Sequence, residues 1–248
     1  MKKVKIISGL LCMALCFGTF SISASAEEST IENINNTDAS AYIAPEVQLQ
    51  QYLARTDVSE EQKEAAIDKY NLGQALAEGN GLTQQARAAE KTLDVPWYSQ
   101  FYGNYCGPAS TKQTVQFLTG SSDTQDQIAR DLKTNDSGTD TNEIQKYLVN
   151  KTGYAYETLW WWADASAFSN MVVSDTDAGL PIIGHVIISN KGGWPYTTTG
   201  HYLNYNGYRS SGDDFFVTDP YADRYGISKG KYWISNNEAE RVTDRIVW

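Results

Sequence analysis

The stretch Val95-Pro96-Trp97-Tyr98-Ser99-Gln100, followed closely by Tyr105-Cys106-Gly107-Pro108-Ala109-Ser110, decides the fold that the sequence predicts. The first half starts as extended chain, because a residue before proline avoids the helical region. The second half starts a helix, because Pro108 is tolerated in a first helical turn and one face continues through Thr111, Val115 and Leu118. Gly120 then ends the pattern. The stretch therefore predicts that Cys106 stands at the start of a helix.

The position predicted for Cys106 favours nucleophilic chemistry. A thiol attacks as its thiolate, and the unpaired N–H groups and the dipole of a helix start lower its pKa. The neighbouring Gly103, Asn104 and Gly107 are expected to let a substrate backbone approach closely. The alternative is that Cys106 is a small buried hydrophobic residue.

Residues 1–26 have the pattern of a secretory signal peptide. Three lysines precede the apolar run Ile6–Phe20, and Ala24-Ser25-Ala26 supplies the small residues for cleavage after Ala26. The run is short for the alternative, a single membrane anchor. We therefore expect a secreted, extracellular protein, released or held at the cell surface, with no stable membrane insertion after signal removal.

Signal removal also changes the cysteine count. Cys12 and Cys16 lie within residues 1–26, so Cys106 is expected to be the only thiol of the mature chain. A secreted protein usually pairs its cysteines or has none. The retention of a single thiol therefore suggests a use for it.

A cysteine nucleophile needs a base, and the chain has only two histidines, His185 and His201. His201 opens a predicted strand after a stretch rich in Gly, Thr and Pro, where it can face a cleft. His185 lies in the middle of the apolar run Pro181–Ser189, and its position is more typical of a core or wall residue. His201 is therefore the predicted base.

The base needs a partner for its other ring nitrogen, and the intermediate needs an oxyanion donor. Asp219 ends the predicted strand at 215–218, which is expected to pair antiparallel with the strand at 201–208. Asp213 and Asp214 are better explained as turn residues. Gln100 lies six residues before Cys106, close enough to fold back onto the helix start.

The chain divides by composition near residue 90. Residues 27–90 are rich in Gln, Ala and Glu and contain no Trp, whereas residues 91–248 contain all seven. Within the first part, 27–44 reads as disordered and 45–79 as helical, with Ser59 as an N-cap. We interpret 27–90 as an inhibitory pro-segment or, equally, a stalk. In 91–248, helices capped by Asp123 and Asp140 precede strands, which predicts an α+β class.

Charge and motif content limit the partners. Removal of 1–26 lowers the number of basic residues from 20 to 17 against 30 acidic ones, which argues against nucleic acid and anionic membranes as main partners. No Cys/His spacing supports zinc and no EF-hand is present, so no metal and no cofactor is expected; calcium at Asp213-Asp214 or Asp219 with Asp223 is a weak alternative. We expect a monomer that acts on a peptide or protein substrate.

The Gln-x5-Cys-Gly-Pro block, followed in order by Gly138-Thr139-Asp140, Gly200-His201-Tyr202 and Thr218-Asp219-Pro220, resembles the bacteriocin-processing (double-glycine) peptidase-like family of the papain-like cysteine peptidase clan. The resemblance covers roughly residues 91–235 and implies a bacterial protein. It implies a papain-like fold in which a helical subdomain with the Cys106 helix packs on an antiparallel β subdomain.

By the same resemblance, Cys106 is the nucleophile, His201 the general base and acid, Asp219 its orienter and Gln100 the oxyanion donor. The reaction implied is peptide hydrolysis through an acyl-enzyme. Transporter-linked members carry membrane-spanning and nucleotide-binding parts, and no GxxxxGK[ST] segment occurs here. The chain therefore looks like a stand-alone secreted branch, for which cleavage after double glycine is not implied.

Other functions remain open from the sequence. An acyltransferase, such as a transglutaminase-like crosslinker, would use the same triad with an amine instead of water. A non-catalytic surface-binding module and a peptidoglycan-cleaving cysteine peptidase are further alternatives. Candidate substrate contacts also occur at Gly200 and in the run Trp160-Trp161-Trp162, of which Trp161 is the residue predicted to bind substrate. Core packing explains the three tryptophans about as well.

Overall fold

The computed structural model describes residues 43–77, 89–160, 165–210, 212–221, 226 and 230–248. The predicted signal peptide, nearly all of the predicted disordered start, Asp223, Trp161 and Trp162 lie outside the described residues. No helix within the described ranges is both long and apolar enough to cross a membrane.

The described residues form helices and strands that are mixed along the chain. The helices are α1 Pro45–Leu53, α2 Glu60–Ala77, α3 Cys106–Thr119, α4 Gln125–Asp131, α5 Thr141–Thr152, α6 Ala165–Ala178 and α7 Asn236–Val242. The strands are β1 Glu90–Thr92, β2 Thr158–Trp160, β3 Ile182–Ile188, β4 Thr198–Arg209, β5 Asp214–Thr218, β6 Lys231–Ser235 and β7 Thr243–Val247.

The strands form one antiparallel sheet in the order β2-β7-β3-β4-β5-β6, with β1 added along β4. One hydrophobic cluster joins α3, α4 and α5 to the sheet through Tyr202 and Ile183. A second joins α6 and α7 to the sheet through Phe168, Tyr205 and Phe215. Helices and antiparallel strands pack as layers around these clusters, which confirms the predicted α+β class with the Cys106 helix on the sheet.

The helix starts follow the predicted capping chemistry, with one exception. The Ser59 hydroxyl accepts from the Gln62 N–H while the Gln62 side chain accepts from the Ser59 N–H, and Asp140 caps α5. Asp123 does not cap α4, which is capped by Thr124. That prediction was wrong, because the Asp123 carboxylate is used by Tyr147 and Lys151 on α5.

Helix α6 was not predicted, and it lies between β2 and β3. Its first buried residues form a compact apolar run, Ala167, Phe168, Met171, Val172 and Val173, and the buried Asp175 and Thr176 follow. Such a compact apolar run does not distinguish a buried helix from a buried strand. Helices and strands are therefore interleaved, rather than helices first and strands later.

Helix α2 carries one nearly buried lysine that pairs with another part of the fold. Lys69 pairs with Asp175 of α6, with 3.1 Å between Nζ and Oδ2, and both side chains are nearly buried. The ammonium also lies over the Tyr156 and Trp248 rings, 5.3 and 4.8 Å from their centroids. Burial raises the pKa of the neighbouring Glu157 to about 7, and the charge of Lys69 opposes that shift.

Replacing Lys69 with methionine is expected to lower the free energy of unfolding by about 3 kcal/mol, because Asp175 would keep a buried charge without its partner. Urea denaturation of the two proteins measures the difference. Lys63→Met is the matched control on the same helix: its partner Glu60 is 86% exposed, so a change below about 0.5 kcal/mol is expected. Equal losses in both variants would contradict the role given to Lys69.

Candidate active site

Cys106 is the first residue of α3 and is 8% exposed. The residue before it, Tyr105, makes no side-chain cap on the helix, so the first N–H groups of α3 are directed towards the thiol end. A helix start with this geometry favours a thiolate. Cys106 is the only free cysteine in the described part of the chain.

The start of α3 is fixed by close packing of Gly107 on Thr139. A Cβ at Gly107 would lie 2.6 Å from the Thr139 hydroxyl oxygen, which is itself 2.8 Å from the Thr134 hydroxyl. Only glycine lets the helix approach this closely. The Gly138-Thr139-Asp140 block therefore sets the position of Cys106, and the space beside Gly107 is filled by Thr139.

His201 and Asp219 meet across the antiparallel pair β4–β5. Asn204 is opposite Thr218 in the register, so Asp219 continues β5 towards His201. The distance from His201 Nε2 to Asp219 Oδ1 is 2.9 Å, and both residues are buried. Since Nε2 is engaged by Asp219, the other ring nitrogen, Nδ1, is the one that faces the Cys106 thiol, to which His201 is hydrogen-bonded.

The Asp219 carboxylate is fully buried and accepts four hydrogen bonds. Oδ1 accepts from His201 and from the Tyr221 N–H at 2.8 Å. Oδ2 accepts from the hydroxyls of Tyr196 and Tyr232, each at 2.7 Å. This set fixes the carboxylate in one orientation and holds the imidazole with it.

Three aromatic residues that hydrogen-bond to Asp219 were not predicted from the sequence. Tyr196 and Tyr232 orient Asp219, and Trp97 donates from Nε1 to the Asp219 carbonyl oxygen at 2.8 Å. Trp97 was visible inside the opening motif. The two tyrosines carry no local signal, because they are 23 and 13 residues away from Asp219 in the sequence.

The charges around Cys106 favour a thiolate–imidazolium pair. Burial alone would raise the pKa of Cys106, but the hydrogen bond and charge of His201, with backbone N–H groups of Tyr202 and Gly107, hold it below its ordinary value. Burial alone would lower the pKa of His201, but Asp219 and Cys106 raise it to about 10. The pKa of Asp219 is lowered despite its burial, chiefly by His201.

Gln100 lies next to these residues but is engaged with its own loop. Its backbone N–H donates to the Pro220 carbonyl at 3.0 Å. Its side-chain Nε2 donates to the carbonyls of Tyr102 and Gly103, at 2.8 and 3.0 Å. Its Oε1 is buried and has no hydrogen-bond partner among the described residues. Both carbonyls compete with any oxyanion for the Gln100 amide.

The remaining predicted contact residues differ in their surroundings. Gly103 and Gly200 are exposed, and a Cβ at Gly103 would meet no atom within 4 Å. The Asn104 side chain donates to the Asn135 carbonyl at 2.7 Å. Trp161 lies outside the described residues. Beside this loop, Phe101 and Tyr102 are 62% and 57% exposed and present apolar rings to solvent.

His185 is not brought to the Cys106 thiol. It lies on β3, with Nδ1 2.5 Å from Asp244 Oδ1, and only 9% of it is exposed. Within the described ranges, no group of three or more His, Cys, Asp or Glu side chains is placed to hold a metal ion.

Several solved structures are similar to this chain. The peptidase domain of Streptococcus ComA, a bi-functional ABC transporter involved in quorum sensing, is 20% identical, with 62% of this chain and 96% of that chain covered and a TM-score of 0.44. A double glycine motif protease from an AMS/PCAT transporter, in complex with the leader peptide, is 17% identical (63% and 91% covered, TM-score 0.44). Xylellain, a cysteine protease from Xylella fastidiosa, is 13% identical (67% and 90% covered, TM-score 0.48).

No curated protein matches the chain significantly. The model of the Peptidase_C39-like family matches residues 92–242, which is more than half of the chain and spans α3 to α7 with the whole site described above. The chain therefore belongs to the Peptidase_C39-like family, and this match confirms the family and the cysteine peptidase class predicted from the sequence.

Proposed function

We propose that this chain is a secreted cysteine peptidase of the stand-alone branch, in which Cys106 is the nucleophile, His201 the general base and acid, and Asp219 the orienter. One observation carries the proposal: the thiol, the imidazole and the carboxylate form a buried hydrogen-bonded line. A buried cysteine with only a packing role would need no histidine beside it. It would also not need Asp219, which accepts four hydrogen bonds, to hold the Nε2 atom of that histidine.

The proposed reaction has two steps. The Cys106 thiolate attacks the substrate carbonyl carbon, and the protonated Nδ1 of His201 gives its proton to the leaving amine as the C–N bond breaks. A water molecule then attacks the thioester, His201 takes its proton, and the acid product leaves Cys106 as thiolate again. Asp219 stays ionised and keeps the ring oriented throughout.

We propose that the oxyanion of each intermediate is held by the Cys106 backbone N–H and the Gln100 amide. The Gln100 Nε2 would first exchange one of its two loop carbonyls for the oxyanion. Because the Gln100 Oε1 has no hydrogen-bond partner among the described residues, that movement would break no bond to Oε1. The cost of that exchange is small beside the value of a donor aimed at developing charge.

Gln100→Ala is therefore expected to lower kcat by about 10²- to 10³-fold with little change in KM, because the donor acts on the intermediate rather than on bound substrate. Steady-state kinetics on one peptide substrate measure both constants. Gln113→Ala removes another buried glutamine of the same subdomain, bonded to the Tyr98 carbonyl, and serves as a control. A kcat for Gln100→Ala within about threefold of that control would remove Gln100 from the oxyanion site.

We also propose the domain division 1–26, 27–90 and 91–248, with the peptidase in the third part. In support, the hydrogen bonds and ion pair that tie α1 and α2 to the rest of the described chain reach Gly153, Thr158 and Asp175. None of these three residues belongs to the proposed triad. This favours an accessory role for the described part of 27–90 over direct occupation of the catalytic centre.

The function is tested by product analysis in ¹⁸O-labelled water. The purified full chain is incubated with a peptide library, with and without an added primary amine, and iodoacetamide-treated protein is the control. The proposal predicts new C-termini that carry one ¹⁸O atom and are absent from the treated sample. Products that carry the amine instead would identify an acyltransferase, and an absence of any product would overturn the enzymatic proposal in favour of a binding module.

A further inference from the structure

A second histidine–carboxylate pair lies beside the proposed catalytic centre and has no part in the reaction described above. His185 Nδ1 is 2.5 Å from Asp244 Oδ1, and the other carboxylate oxygen of Asp244 is 3.2 Å from Arg245 Nε. The His185 side chain is 11% exposed and that of Asp244 27%. The pair is therefore at an edge that solvent reaches, rather than deep in a core.

The His185 ring faces the residues on both sides of His201. His185 is opposite Tyr202 in the β3–β4 register, and the two rings meet edge to face with centroids 4.8 Å apart. On the other side, a Cβ at Gly200 would lie 3.0 Å from His185 Nε2. Gly200 is exposed and has no side chain to cover the ring. Nε2 of His185 therefore lies beside the exposed backbone that directly precedes His201.

Tyr202 connects this ring to the nucleophile. Its backbone hydrogen-bonds the Cys106 thiol. Its hydroxyl is fixed by the Thr141 hydroxyl at 2.6 Å and the Thr139 carbonyl at 3.0 Å. Because Tyr202 is held at both ends, it forms a rigid wall between Cys106 and His185. A group bound at His185 would consequently have a defined position relative to the reacting thiol.

The Asp244 carboxylate determines what His185 offers to a ligand. A carboxylate accepts hydrogen bonds, so the proton of Nδ1 faces Asp244 and Nε2 is the ring nitrogen that can accept a hydrogen bond from a ligand. Among the described residues, the hydrogen bond from Nδ1 to Asp244 is the one that the His185 ring makes, and none is directed at Nε2. When a bound substrate covers such an acceptor, a donor on the substrate satisfies it, whereas an apolar group of the same size leaves it unpaired.

We propose that His185, held by Asp244, forms a substrate subsite beside Gly200 that selects a side chain with a hydroxyl or amide donor over an apolar side chain of the same shape. The inference rests on the proposed peptidase function and adds a determinant of its specificity. Threonine and valine are the sharpest pair of probes, because they differ by a hydroxyl in place of a methyl group.

The test places threonine or valine in turn at each position of a cleaved peptide and measures kcat/KM. At one position, wild-type protein is expected to prefer threonine by about tenfold or more, and His185→Leu to lose or reverse that preference. His185→Gln keeps a hydrogen-bonding group in the same place, and it should retain part of the preference. A Thr/Val ratio that is the same in wild type and His185→Leu at every position would overturn the subsite, while an absence of hydrolysis by wild type would overturn the peptidase itself.

A second measurement keeps the inference testable if His185→Leu does not fold. The chain has only two histidines, so the ring ¹⁵N signals of His185 and His201 can be assigned from one spectrum. In the inactive Cys106→Ala protein, a bound threonine peptide is expected to shift the His185 Nε2 signal and the valine peptide to leave it in place. Equal signals with both bound peptides would overturn the subsite.

Discussion

Replacing Cys106 with alanine is expected to abolish peptide hydrolysis, with a loss in kcat of about 10⁵- to 10⁶-fold, as for removal of a nucleophile from other covalent hydrolases. No other described side chain can replace the sulfur, because Cys106 is the only cysteine that the structure describes. Its thiol is also the group that is hydrogen-bonded to His201. The fold should survive, since the change removes one sulfur atom from a site at the end of a helix. Progress curves at high enzyme concentration measure the residual rate.

The matched measurement on wild-type protein is alkylation. Iodoacetamide should add one carbamidomethyl group, located on Cys106 by peptide mass spectrometry, and the extent of labelling should parallel the loss of activity. Because the His201 proton and charge lower the pKa of the thiol, labelling should stay fast below the pH at which an ordinary cysteine loses reactivity. Full activity in Cys106→Ala, or in stoichiometrically alkylated protein, would contradict the mechanism.

Replacing Asp219 with asparagine is expected to reduce kcat by about 10²- to 10⁴-fold, since the neutral side chain neither selects the ring tautomer nor stabilises the imidazolium. The pH profile gives a sharper result. Activity requires deprotonated Cys106 and protonated His201, so it rises through the pKa of the thiol and falls through that of the ring. The Asp219 charge raises the pKa of His201, so its removal moves the alkaline limb of kcat/KM to lower pH.

Asp213→Asn provides the matched control, because Asp213 is an exposed turn residue six positions earlier in the sequence. Its rate and its pH profile should equal those of wild type. If Asp219→Asn lost stability but kept the alkaline limb of its kcat/KM profile at the wild-type pH, Asp219 would have a structural role only. The two readouts therefore separate orientation of His201 from maintenance of the fold.

Much of the candidate site was accessible from the sequence because its members are marked locally. Cys106 precedes a proline in a helical pattern, and Asp219 ends a strand before Pro220. The register that brings His201 to Asp219 follows from two adjacent antiparallel strands, the simplest connection a sheet can make. The family match confirms the class of fold and enzyme, while the individual roles remain predictions.

The parts that were missed depend on contacts that are distant in sequence. Tyr196 and Tyr232 reach Asp219 from two separate segments, and no spacing rule marks a tyrosine whose hydroxyl will meet a buried carboxylate. Asp123 was predicted to be an N-cap because aspartate is a common capping residue. In the structure its carboxylate instead accepts hydrogen bonds from Tyr147 and Lys151 of α5. In both cases tertiary packing decided between options that the local sequence left equal.

The attachment of α1 and α2 has a consequence for how maturation of this protein would be recognised. Besides the Lys69–Asp175 pair, the Gln48 side chain donates to the Thr158 carbonyl and accepts from its N–H, as a neighbouring strand would. A proteolytic cut between residues 77 and 90 would leave all of these contacts intact. The product would be a nicked heterodimer, with two bands on a denaturing gel and one peak in size-exclusion chromatography, so a shortened band alone would not mean that the N-terminal helices had been released.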